Sequence, residues 1–138
     1  MQRITALLAI GSVVATACSS GVSTESTTLP PPAECIAIAD ETVAMLQDMI
    51  AAVEALPANE LPDSTDPAAL LNSLDTDTFF ELRGRADSLG TRGQELECSD
   101  AEGQGLVLDR VDQLRATTAI GVAMRDGIIR GIEQTQVN

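Results

Sequence analysis

Residues 34–57 read ECIAIADETVAMLQDMIAAVEALP, and the spacing within this stretch decides the fold. Ile36, Ala39, Val43, Leu46, Ile50 and Val53 recur at intervals of three and four, which is one stripe of a helix. Met49 and Leu56 widen the stripe, while Glu34, Asp40, Glu41, Asp48 and Glu54 fall largely off it. Pro57 ends the segment, because the residue before a proline is pushed out of the helical region.

Downstream, the loop ANELPDSTD leads to Asp66, a candidate N-cap, with Pro67 at the first helical position. A short helix through Leu70, Leu71 and Leu74 follows. Thr78 and Glu81 have capping-box spacing and predict the start of a second long helix. Its stripe is Phe79, Leu82, Ala86, Leu89 and Leu96, with Gly93 in the vacant turn. Gly84, Gly90 and Gly93 each cost about 1 kcal/mol relative to alanine if exposed, or else admit a close neighbour. Ser99 and Glu102 repeat the capping-box spacing and open a third helix through Val107, Val111 and Leu114, with Asp100 in its acidic first turn. The final stretch, ATTAIGVAMRDGIIRGIEQTQVN, has two readings. As a helix it continues through Ile120, Met124, Ile128 and Ile132. As a hairpin it uses Thr117, Thr118, Ile120 and Val122 as strand formers and Asp126-Gly127 as the turn. Helix is preferred, since a lone hairpin beside helices has an exposed edge to manage.

The chain opens MQRITALLAIGSVVATACSS. Arg3, the uncharged run from Ile4 to Ala17 and the small residues before Cys18 have the three-part layout of an export signal. Ala15-Thr16-Ala17-Cys18 resembles the lipobox of bacterial lipoproteins, with Ala15 where leucine is usual. The resemblance implies cleavage before Cys18 and a diacylglycerol on its sulfur; ordinary cleavage near Ala17 without lipid is the alternative. Arginine supplies all eight positive side chains, a composition similar to that of small actinobacterial lipoproteins. Residues 1–17 then form the signal peptide. Residues 18–32, rich in Ser and Thr and ending in three prolines, form a lipid-anchored tether. Residues 33–138 form the domain. The implied location is the outer side of the cell membrane, held there by two or more acyl chains.

With Cys18 assigned to lipid, Cys35 and Cys98 remain, and an even number of spare cysteines in an exported chain reads as a disulfide. Two separate buried thiols are the alternative. The bond closes a loop of 63 residues, worth about 4 kcal/mol on loop-entropy grounds. Cys35 begins the first long helix and Cys98 ends the second, so an antiparallel hairpin brings them together. Phe79 and Phe80 are the only aromatics, which leaves a core of Leu, Ile, Val, Met and Ala, natural between helices and unusual in sheets. The expected fold is all-α, a small antiparallel helical bundle of three to four helices with one disulfide.

Composition narrows the chemistry. There is no His, Tyr or Trp, which removes the commonest neutral-pH base, the histidine-centred triads and the histidine zinc sites. Gly103-Gln104-Gly105 lacks the rest of any nucleotide-loop pattern. Asp63 with Asp66, and Asp75 with Asp77, offer oxygen ligands, but neither matches a calcium loop, and capping is the commoner use. A carboxylate pair for glycoside hydrolysis would lack its usual aromatic platform. Arg83 and Arg85 stand two apart and read as partners for neighbouring acids. A net charge of −13, or −14 once Arg3 is removed with the signal, argues against nucleic acid and against anionic lipid surfaces. No catalytic, cofactor or metal residues are assigned. The leading reading is a non-catalytic, envelope-anchored accessory or protein-interaction module with a protein partner in the envelope. The second is a carrier of a lipid-like ligand in an interhelical groove. A carrier needs a continuous apolar cavity, and an interaction module a solid core with an apolar patch outside.

Overall fold

In the computed structural model, which describes residues 31–136, α1 (Ala33–Glu54) is the strut against which the other helices lean. The Pro32 carbonyl accepts the amides of Cys35 and Ile36 to start it, and Pro57 follows its last turn. Its buried positions are Cys35, Ala39, Val43, Met45, Leu46, Ile50 and Val53; Ile36 is only half-buried. The stripe therefore starts at Cys35, four residues before Ala39, in place of Ile36, and includes Met45, which the three-and-four spacing passes over. The signal segment, Cys18 and residues 18–30 of the tether lie outside the described residues.

The remaining elements are α2 (Pro67–Asn72), α3 (Thr76–Glu95), α4 (Asp100–Leu108), a 3₁₀ turn at Val111–Gln113 and α5 (Ala119–Gln136). Among the described residues there is no strand. The fold is an antiparallel helical bundle with one disulfide. Cys35 and Cys98 are bonded, their Cα atoms 5.9 Å apart, so α3 runs back along α1. The chain then turns again. Arg110 meets Asp40, Arg115 meets Gln47 and Thr117 meets Glu54, which steps along α1 in its own direction. Helix α5 completes the bundle beside α1, α2 and α4.

Ile50, Val53, Leu70 and Met124 are fully enclosed, and burial of such side chains contributes about 1.5–3 kcal/mol each. Leu74, Leu82, Leu89, Val107 and Leu114 extend the cluster. Truncating Ile50 to alanine would cost about 2–5 kcal/mol.

Three boundaries differ from the sequence reading, each for a local reason. Helix α3 starts at Thr76, because Asp75 is the N-cap and its carboxylate accepts the Thr78 amide at 3.0 Å. Leu96 is the C-cap and 42% exposed, so it drops out of the apolar stripe. Ser99 caps the third long helix as expected, with its hydroxyl accepting the Glu102 amide, but that helix stops at Leu108. There the Arg110 side chain folds back on the Leu106 carbonyl and onto Asp40, and Val111 and Leu114 reach the core through a 3₁₀ turn instead. At the C-terminal segment the helical reading holds, and Asp126-Gly127 lies inside α5.

The turn between α3 and α4 is tight. Glu97 adopts φ 56°, the Cys98 amide reaches back to the Gly93 carbonyl and the Glu97 amide to that of Gln94. This is a Schellman closure with glutamate in the left-handed position usually held by glycine, a conformation costing about 1–2 kcal/mol. It swings Cys98 toward Cys35.

Candidate functional site: an interhelical groove

Helix α3 packs chiefly on α1 and stands away from α4 and α5. The gap is a groove of about 410 Å³, inside the roughly 300–1,000 Å³ range of small-molecule sites. Its floor is the side of α1 carrying Ile38, Ala39 and Met45. Ala86, Leu89, Gly90 and Gly93 of α3 form one wall, and Val107 of α4 with Ile128 and Ile132 of α5 the other. Thr42 lies in the floor with its hydroxyl already donated to the Ile38 carbonyl, so it adds no free donor. The disulfide closes one end, and the polar lining is concentrated there: Gln94, Ser99, Asp100 and Gln104.

Glycine makes the walls low. A Cβ built on Gly90, Gly93 or Gly103 would meet nothing within 4 Å, so no neighbour requires glycine there by close approach. The same is true of Gly84, and the close-neighbour reading of Gly84, Gly90 and Gly93 is thereby corrected. Close approach occurs elsewhere. A Cβ on Gly121 would run into the Glu54 side chain, and one on Gly127 would stand 2.5 Å from Pro67 Cγ.

Another depression, about 450 Å³, flanks the α1–α3 seam around Phe80. Its arginines are engaged: Arg85 pairs with Asp48 at 2.6 Å, and Arg92 is bidentate on Glu41 at 2.5 and 3.0 Å. The Arg92 hydrogen bond holds the Glu41 carboxyl below its usual range and raises the guanidinium in turn. These are exposed seam contacts, and exposed ion pairs contribute little individually.

The acids of α1 do more than solvate its surface. Glu54 accepts the amides of Thr117 at 2.6 Å and Thr118 at 2.7 Å, together with both threonine hydroxyls. The Thr118 and Thr117 amides hold its carboxyl below the ordinary carboxylate range. Thr118 Oγ1 in turn accepts the Gly121 amide, so a carboxylate at the end of α1 clamps the start of α5.

Of the carboxylates weighed as ligands, Asp66 caps α2 by accepting the Ala68 and Ala69 amides. Asp75 caps α3, and its contacts with Thr78 lower its proton affinity. Asp63 and Asp77 are exposed, and Arg85 takes Asp48 as its partner while Arg83 is exposed. Among the described residues no three Cys, Asp or Glu side chains gather as a metal cluster. The residues that line the groove and the Glu54 clamp are what the sequence reading missed. Ala86, Gly90 and Gly93, spaced four and three apart, were the available signal for the groove wall.

The fold and site define a class, a disulfide-bonded helical bundle with an open apolar groove. No family model, curated protein or solved structure matches the chain. No helix among the described residues is long and apolar enough to cross a membrane.

Proposed function

We propose that this is a non-catalytic binding protein of the cell envelope, lipid-anchored at Cys18, which carries an apolar small molecule in the groove between α3 and the α4–α5 pair. The observation that carries the reading is the groove itself. Its floor and walls are apolar, and it is bordered by three glycines whose extra cost to helix stability, about 1 kcal/mol each, is matched by no packing need. The export-signal layout and the lipobox-like Ala15–Cys18 support the anchor, and the Ser/Thr/Pro stretch supports a tether. The test uses the mature chain, residues 18–138, carrying Cys18→Ser, which has neither the apolar signal segment nor an acyl chain and needs no detergent. Nile red, a neutral dye that brightens in apolar sites, is expected to bind saturably. Gly93→Leu, which places a side chain in the groove, is expected to abolish the signal without lowering the melting temperature. Undiminished dye binding by a folded Gly93→Leu protein would refute the reading.

A protein partner in the envelope is the second reading. One observation favours it: Phe80 is 61% exposed on α3, on the side away from the groove.

A further inference from the structure

The groove is uneven in charge, and the unevenness restricts what it can hold. No arginine lines it; its one charged lining residue is Asp100. Of the arginines on the neighbouring elements, Arg85 is paired with Asp48, Arg92 with Glu41, Arg110 with Asp40 and the Leu106 carbonyl, Arg125 with Asp126, and Arg130 with the Asp126 carbonyl, while Arg83 of α3 is exposed and is not part of the lining. The remaining electropositive element at the mouth is the amino end of α4, and it is already occupied. Ser99 Oγ accepts the Glu102 amide, and Asp100 and Glu102 put two carboxylates in the first turn. An arriving anion would meet carboxylates in a chain of net charge −13, with no cation in the lining to pair with it.

The polarity also runs along the groove. Gln94, Ser99, Asp100 and Gln104 lie at the disulfide end, whereas Met45, Leu46 and Ala86 line the opposite end. From Cys35 to Leu46 the floor is about 16 Å long at 1.5 Å per residue. That is the reach of one medium-length alkyl chain.

Resting on the carrier reading above, we infer that the groove takes a single-chain amphiphile whose head carries no negative charge. The tail lies over α1, and the head sits at the α3–α4 turn against Asp100, Gln94 and Gln104. Carboxylate- and phosphate-headed lipids are disfavoured.

The test is displacement of Nile red from the mature Cys18→Ser chain, residues 18–138, by three amphiphiles with the same alkyl length, each below its micellar concentration: dodecyl maltoside, dodecyltrimethylammonium and laurate. Maltoside and trimethylammonium displace the dye, and laurate is weaker than the maltoside by about fivefold or more, the Coulomb effect of one charge at close range. Asp100→Asn narrows the gap between trimethylammonium and laurate, while Asp63→Asn, in the loop before α2, leaves it unchanged. Equal displacement by laurate would overturn the head-group inference and leave the carrier reading standing. So would equal narrowing by both variants, which would trace the preference to overall charge. Dye binding that none of the three displaces would overturn the single-chain occupant. Absence of dye binding would sink both.

Discussion

Replacing Gly90 and Gly93 together with alanine separates a groove that is open from one that only looks open. Both residues are in α3, Gly90 well inside it and Gly93 in its last turn. Alanine is favoured over glycine by about 1 kcal/mol at a helix interior and by less near an end, so the pair is worth roughly 1.5 kcal/mol. The added methyl groups meet nothing within 4 Å, so no overpacking term opposes the gain. For a domain of this size each kcal/mol moves the melting temperature by about 4–8 °C, which gives a rise of roughly 6–12 °C. Far-UV circular dichroism of the Cys18→Ser chain during heating reads this directly, and Nile red titration of the same samples is expected to weaken as the walls rise. A melting temperature below that of the parent would refute the reasoning. It would mean that α4 or α5 closes onto these glycines in solution and that the groove is not a site.

Other expectations follow from separate features. Glu97→Gly is expected to stabilise the domain by about 1 kcal/mol by relieving the left-handed glutamate, read as a higher urea midpoint; no shift would argue against that backbone conformation. Gly127→Ala is expected to destabilise by about 1–3 kcal/mol because its Cβ collides with Pro67, and a neutral result would separate α2 from α5. Glu54 has a lower proton affinity folded than unfolded, so its contribution is complete above the ordinary carboxylate range and is lost as pH falls through the folded value. Urea midpoints are therefore expected to fall more steeply with acid below about pH 4 in the parent than in Glu54→Gln, and parallel curves would remove the clamp. Intact mass of the membrane-extracted protein, with and without reduction, is expected to equal residues 18–138 plus acyl groups, with two thiols appearing only after reduction. An unlipidated mass would make the protein freely secreted.

How much was legible followed from how local each signal is. The long helix from Ala33, the Asp66 cap with Pro67, the Ser99 cap and the pairing of Cys35 with Cys98 rest on neighbours in sequence or on a pair of residue types with one use. The end of α4 was not legible, because Val107, Val111 and Leu114 keep helical spacing across a break made by Arg110 reaching Asp40 on another helix. The start of α3 was misplaced for a milder reason: Asp75 and Thr78 both qualify as caps, and the carboxylate won by taking the threonine amide. The place and lining of the groove were hidden for a different reason. It is a space between α3 and two helices it barely touches, and spacing within one helix reports which face is small without reporting what stands opposite.

The placement of the disulfide has a mechanical consequence. The chain enters the domain at Ala33, and within two residues Cys35 is joined to Cys98 at the junction of α3 and α4. A pull on the amino-terminal side therefore cannot peel α1 from its end, turn by turn. The load passes at once into a covalent cross-link and divides between the strut and the α3–α4 corner.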